Sequence, residues 1–177
     1  MEIVTTLIDS PLGALCAGAT DAGICLLEFT APERLGPQMD TLRRALKGTA
    51  REGDHPHLRR LRNELTEYFA GRLRDFTVPL VAPGTPFQER VWQELRRIPY
   101  GETRSYEELA CTVSTANAQR AVGRANGSNR IAIVIPCHRV VNKSGALGGY
   151  GGGLWRKEVL LRLEGAGPAQ LTLLAAR

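Results

Sequence analysis

Apolar residues open the chain in three short runs, at positions 2–8, 12–19 and 23–29, punctuated by Ser10-Pro11 and Asp21-Ala22-Gly23. Short apolar runs broken by turn residues predict a β-meander. The period then changes. Leu35, Met39, Leu42 and Leu46 recur at helical spacing across 32–46, and Leu58, Leu61, Leu65, Tyr68 and Phe69 do so across 57–70, where Gly71 ends the pattern. Both stretches predict amphipathic helices. Residues 48–54 between them read as a polar link, and 76–81 as one more strand. The segment Ala82-Pro83-Gly84-Thr85-Pro86 reads as a domain boundary.

Beyond it the pattern is mainly helical. Phe87, Val91, Trp92, Leu95 and Ile98 share a helical face, and Pro99-Tyr100-Gly101 stops it. Ser105 followed by Glu108 fits a capping box for a short helix, and 116–126 reads as a second one. Two short helices with a brief link suggest a helix-turn-helix. The second is built of small residues, with Arg120 and Arg124 four positions apart. Such a smooth helix either packs tightly inside the protein or lets another surface approach its backbone. Residues 155–163 predict a last amphipathic helix with Trp155, Val159, Leu160 and Leu163 facing in, closed by Glu164-Gly165.

Between these helices lies the apolar run Ile131-Ala132-Ile133-Val134-Ile135, followed by Pro136-Cys137-His138-Arg139-Val140-Val141. The run reads as a buried strand or extended segment that Pro136 breaks, since proline has no backbone donor. Cys137, His138 and Arg139 sit at that break. Taken alone, they read as a structural cysteine beside a surface His-Arg pair. Gly148-Gly149-Tyr150-Gly151-Gly152-Gly153 follows, a segment of the kind that forms a mobile loop, a phosphate cradle or a ligand-contact loop, but no GxxxxGK[ST] is present, which argues against a nucleotide P-loop.

Composition narrows the options. At 177 residues and 43% hydrophobic, the chain can bury a core in one large or two small domains. No apolar run reaches the length of a membrane span, and the N-terminus lacks the pattern of a signal peptide. A cytoplasmic protein is expected, with Cys16, Cys25, Cys111 and Cys137 as free thiols and no zinc spacing among them. The net charge is +5, but residues 115–162 carry +7 of it, with Glu158 their one acid, and the remainder is −2. That asymmetry fits either a face for a polyanion or the solvated surface of an Arg-rich protein.

The second half, from about Gly84 to Gly165, resembles the O6-alkylguanine-DNA alkyltransferases. The resemblance rests on Gly84-Thr85-Pro86-Phe87-Gln88, Ile98-Pro99-Tyr100-Gly101-Glu102-Thr103, Ser105-Tyr106, Arg120-Ala121-Val122-Gly123, Asn129, Ile135-Pro136-Cys137-His138-Arg139-Val140-Val141, Gly149-Tyr150-Gly151-Gly152 and Glu164-Gly165, in that order. It implies an α+β protein: a small antiparallel-sheet domain over 1–83, a mainly helical, winged-helix-like DNA-binding and alkyl-transfer domain over 84–165, and a tail over 166–177.

It also implies chemistry. Cys137 would accept an alkyl group from O6 of guanine or O4 of thymine. His138 would take the thiol proton through a water, Glu164 would orient His138, and Asn129 would tie the Cys-His turn to the preceding helix. The product is a thioether, so each chain acts once and needs no cofactor. The target nucleotide must leave the duplex stack. The second helix would enter the minor groove, with Ala121 and Gly123 permitting close approach and Arg120 filling the place of the extruded base. Tyr106 would press on the phosphate backbone. The carbonyls of Cys137 and Val140 would accept from the guanine amine. The backbone N–H of Gly151 would reach O6, with Tyr150 and Gly152 shaping the wall. The implied partner is duplex DNA, met by a monomer. Gly151 departs from the serine many relatives carry. Two other readings compete: a non-catalytic lesion-binding relative, which would lack the acceptor cysteine, and a plain helix-turn-helix regulator, which leaves Pro136-Cys137-His138 without a role.

Overall fold

The computed structural model describes residues 1–114 and 116–166. The described residues form two compact units, one of residues 1–85 with 130–134, the other of residues 86–129 with 135–166.

In the first unit, β1 (Glu2–Ile8), β2 (Leu15–Thr20) and β3 (Gly23–Phe29) form the expected antiparallel meander. A fourth strand, β4 (Thr49–Glu52), pairs parallel with β1 and completes the order β3-β2-β1-β4. The stretch expected to be a polar link therefore makes the sheet mixed. Main-chain hydrogen bonds hold an edge strand, so its side chains carry no apolar signal, and charge there discourages further pairing. Helix α1 (Pro32–Leu46) buries Leu42 with Ile3, Cys25 and Leu26 and ends at Lys47 in the left-handed region. Helix α2 (Pro56–Phe69) buries Leu58, Leu61, Leu65 and Tyr68. Each such side chain contributes about 1.5–3 kcal/mol by leaving water.

Residues 76–81 are not a strand. Only Leu80 makes a bridge, to Ile24, flanked by Ile24 N donating to Pro79 O and Val81 N donating to Ile24 O, both at 2.8 Å. Pro79 has no N–H with which to extend the ladder. Gly23 is required there, because a Cβ would lie 2.5 Å from the Pro79 carbonyl oxygen.

In the second unit, α3 (Pro86–Leu95) buries Val91, Trp92 and Leu95, and Ile98 is buried in the turn beyond. The two-residue strand β5 (Arg104–Ser105) leads into α4 (Tyr106–Val113), whose start carries the predicted capping box of Ser105 and Glu108. The second small-residue helix begins as a 3-10 turn at Ala116–Ala118 and becomes α5 (Gln119–Gly127). Trp92 Nε1 donates to Ala125 O at 2.9 Å and ties α5 to α3.

The apolar run expected to be a buried strand or extended segment up to its break at Pro136 holds two tight turns. Ile131 bridges Leu27 in the first unit, with Leu27 N on Arg130 O and Ala132 N on Leu27 O. The chain then turns sharply. Val134 N donates to Ala132 O around Ile133, whose φ is +71°. A β-branched residue in that region is strained, at a cost on the order of 1–3 kcal/mol. A second three-residue turn follows, with Cys137 N donating to Ile135 O around Pro136 at φ −80° and ψ 61°. These are the dihedrals of an inverse γ-turn, and proline's ring fixes φ close to that value. Cys137–Arg139 then forms one 3-10 turn, and strand β6 (Val140–Val141) pairs parallel with β5.

Helix α6 (Leu154–Leu163) also differs from expectation. Its buried positions are Lys157, Leu160 and Leu161, while Trp155 and Val159 are 53% and 38% exposed. The buried stripe 157–160–161–164 has helical spacing, but a lysine and a glutamate stand at its ends. No helix among the described residues is long and apolar enough to cross a membrane. The tail expected at 166–177 falls, apart from Ala166, outside the described residues.

Candidate active site

The two tight turns around Ile133 and Pro136 deliver Cys137, His138 and Arg139 on successive positions of a 3-10 turn. All three are buried. The reading of a surface His-Arg pair is therefore wrong: burial and partners account for both side chains.

Cys137 is 6% exposed. Asn129 Nδ2 lies 3.1 Å from its Sγ and 2.9 Å from Ile135 O, so one amide both fixes the turn and offers a hydrogen bond to sulfur. A donor at that distance favours the thiolate over the thiol.

His138 is fully buried, and its Nε2 is 2.8 Å from Glu164 Oε1. A carboxylate accepts, so Nε2 carries the proton and Nδ1 holds the basic lone pair. Nδ1 has no hydrogen-bond partner among the described residues. Glu164 is in turn gripped by Arg139, with Nε at 2.8 Å from Oε2 and Nη2 at 3.0 Å from Oε1. Arg139 also donates through Nη1 to Ile98 O at 2.6 Å. Gly101 makes room for the end of α6, since at its φ of +83° a Cβ would stand 3.0 Å from Glu164 O.

This arrangement settles the charge. The fork of Arg139 already balances the carboxylate. Burial then holds His138 below its ordinary pKa, against the pull of Glu164 and with a further push from the Arg139 and Lys157 charges. The imidazole is neutral at pH 7 and can accept a proton. A folded-state pKa below the unfolded value means that the unfolded chain binds the proton first. Stability supplied by His138 is thus complete above about pH 6.5 and declines as pH falls below it. Melting temperatures recorded from pH 8 to 5 should drop more steeply for wild type than for His138→Gln. Parallel curves would contradict a buried neutral imidazole.

Lys157 was not anticipated. Its side chain is fully buried, and Nζ donates to Val140 O and, at 3.1 Å, to Gly149 O. Burial lowers its pKa to about 8, offset in part by attraction to Cys137. One ammonium thus joins β6 to the glycine-rich loop. The clue in the sequence was a lysine in phase with Leu160, Leu161 and Glu164 on one helix. Arg139 was quoted within a motif but given no role, and Asn126 was not singled out. Asn126 is buried and donates from Nδ2 to Cys137 O at 3.4 Å.

Of the other expected residues, Tyr106 is near this cluster. Its hydroxyl donates to Gly149 O at 3.4 Å, and its ring centre is 6.0 Å from Lys157 Nζ. Gly123 faces that ring: an added Cβ would be 4.0 Å from Tyr106 Cε1, an ordinary contact distance. Arg120 is exposed on α5, and Ala121 beside it is half-buried. In the loop, Tyr150 and Gly152 are half-buried and Gly151 is exposed. Gly153 N donates to Tyr150 O at 3.0 Å and Arg156 Nη1 to Gly152 O at 2.7 Å. These bonds give the loop a shape of its own. Among the described residues, no cluster of three or more His, Cys, Asp or Glu side chains could hold a metal ion.

Comparison with known proteins finds matches to both halves of the chain. Residues 3–82 match the ribonuclease-like domain of 6-O-methylguanine DNA methyltransferase, and residues 86–166 match its DNA binding domain. The methylated-DNA–protein-cysteine methyltransferase of Mycolicibacterium paratuberculosis is 45% identical over 171 residues, covering 94% of this chain and 95% of that protein. The constitutive enzyme of that name from Bacillus subtilis is 48% identical over 122 residues, or 67% of this chain and 74% of its own. A solved structure of Mycobacterium tuberculosis OGT in complex with DNA superposes with a TM-score of 0.75 at 42% identity, covering 98% of this chain and 99% of that one. With both halves matched, and with relatives this similar over nearly the whole length, the chain belongs to the 6-O-methylguanine DNA methyltransferase family.

Proposed function

We propose that the protein repairs alkylated DNA by direct reversal, moving a methyl or other alkyl group from O6 of guanine, or O4 of thymine, onto its own Cys137. The observation that carries this reading is the buried chain Arg139–Glu164–His138 beside Cys137, whose sulfur already meets an amide donor at 3.1 Å. The relatives are named for acting on methylated DNA, and one is solved with DNA.

The step is a displacement at carbon. His138 Nδ1 takes the thiol proton through a bridging water, and the thiolate attacks the alkyl carbon. The C–O bond breaks as the S–C bond forms, and the base leaves with its oxygen electrons and recovers a proton. Glu164 stabilises the imidazolium, and Asn129 steadies the sulfur. Nothing in the site hydrolyses a thioether, so the protein is consumed and requires no cofactor. The non-catalytic alternative is not favoured, because Cys137 and its partners are all present. With a lesion in excess, methyl transfer should stop at one per chain. Turnover beyond one equivalent would overturn the reading.

The rest of the proposal concerns DNA. The protein works in the cytoplasm as a monomer and meets the minor groove through α5, where Ala121 and Gly123 keep the helix surface low. The nucleotide is flipped into the site, Arg120 takes its place in the stack, and Tyr106 bears on the backbone phosphate. The carbonyls of Cys137 and Val140 accept from the guanine amine, and Gly151 N–H reaches O6 between Tyr150 and Gly152. Arg120→Ala should then slow repair in duplex DNA about tenfold or more, in keeping with a few kcal/mol of unstacking left uncompensated. Transfer from the free base should change little. Equal losses on the two substrates would count against insertion by Arg120.

A further inference from the structure

Asn126 stands on α5, three residues after Gly123. It is only 4% exposed. The donor half of its amide is used: Nδ2 bonds Cys137 O at 3.4 Å, and the side chain lies near the Tyr106 phenol. The acceptor half is not. Oδ1 is buried and has no hydrogen-bond partner among the described residues. A desolvated carbonyl oxygen without a partner is costly to keep, and native interiors seldom keep one without a reason. Here it lies beside the backbone of the acceptor cysteine and the tyrosine of the same site. The tyrosine ring also faces Gly123, one turn earlier on the helix.

What such an oxygen lacks is a donor. Alkylation at O6 removes the N1 proton of guanine, which leaves the exocyclic 2-amine as the one donor on that edge. O4-alkylthymine has no donor on the matching edge, because its N3 proton is lost and O2 only accepts. An unpaired acceptor beside the acceptor cysteine would therefore separate the two lesions by hydrogen-bond chemistry rather than by size. Discrimination of this kind is strong because the wrong ligand leaves a buried polar group unpaired.

We propose that Asn126 Oδ1 accepts a hydrogen bond from the exocyclic amine of the flipped O6-alkylguanine, which makes Asn126 a residue that selects guanine lesions over thymine lesions. The proposal rests on the alkyl-transfer reading above. It adds a contact distinct from the backbone carbonyls of Cys137 and Val140.

The test is a cycle of two proteins and two substrates. Duplex oligonucleotides carry either O6-methylguanine or O6-methylhypoxanthine, the same base without the amine. Single-turnover transfer to wild type and to Asn126→Leu is followed by intact mass. Removing the amine should slow wild type about tenfold more than it slows Asn126→Leu, a coupling of about 1.4 kcal/mol. Asn126→Asp, which keeps an acceptor oxygen, should retain the dependence on the amine. If the amine is worth the same factor in wild type and Asn126→Leu, whatever their absolute rates, the contact does not exist. Asn126→Ala gives the same comparison should the leucine variant fold poorly. Failure of wild type to gain mass from O6-methylguanine would instead strike the alkyl-transfer reading itself.

Discussion

His138→Ala is expected to slow alkyl transfer by about 10²- to 10⁴-fold at pH 7, the range that a positioned general base supplies. The site is built for this dependence. Nε2 is committed to Glu164, which leaves Nδ1 as the basic atom, and burial keeps the ring neutral. Without the imidazole the sulfur must ionise unaided. An ordinary thiol does so near pH 8.5, so the variant should regain much of its rate between about pH 7 and 9. A deficit that stays constant over that range would mean that His138 serves the fold or the binding of DNA and does not activate the sulfur.

Arg139→Met should be the most destabilising single change in the second unit. Arg139 holds both oxygens of a carboxylate that is itself buried, at 2.8 and 3.0 Å, and also caps the carbonyl of Ile98. Removing one partner of a buried ion pair leaves an uncompensated charge, at a cost of about 3–5 kcal/mol. For a chain of this length the melting temperature should fall by about 10 °C. A second effect follows from the same charge. With Arg139 gone, Glu164 pulls on His138 alone and raises its pKa, so the ring becomes an imidazolium nearer neutral pH and loses its function as a base. Nuclear magnetic resonance titration of His138 should show an upward shift in Arg139→Met. An unchanged titration would separate the stability role of the arginine from the catalytic one.

The chain's pattern made much of this legible, and the exceptions have physical reasons. Helices α1 and α2 were readable because their apolar stripes keep one period over four turns. Strand β4 was not, because Thr49-Ala50-Arg51-Glu52 pairs through its backbone and shows water mostly polar side chains. The apolar run before Cys137 looked like a strand because hydrophobic content reports burial and not conformation. Positive φ at Ile133 leaves no trace in composition. At the site itself, Cys137, His138, Glu164 and Asn129 were named as a set by the resemblance to the alkyltransferases, because neither periodicity nor spacing links a glutamate and an asparagine that far apart in the chain to the Cys-His pair. Lys157, Arg139 and Asn126 were missed for a shared reason. Each is a polar group whose partners are backbone carbonyls or a carboxylate distant in sequence, and only the fold brings those together.

The central claim is that Cys137 Sγ receives the alkyl group from the base. It is tested most directly by mixing the protein with duplex DNA carrying O6-methylguanine, measuring intact mass, and locating the adduct by peptide mapping. A displacement onto sulfur predicts a gain of about 14 Da on the peptide containing Cys137, and none for Cys137→Ala. A gain that persists in Cys137→Ala, or that maps to Cys16, Cys25 or Cys111, would contradict the account.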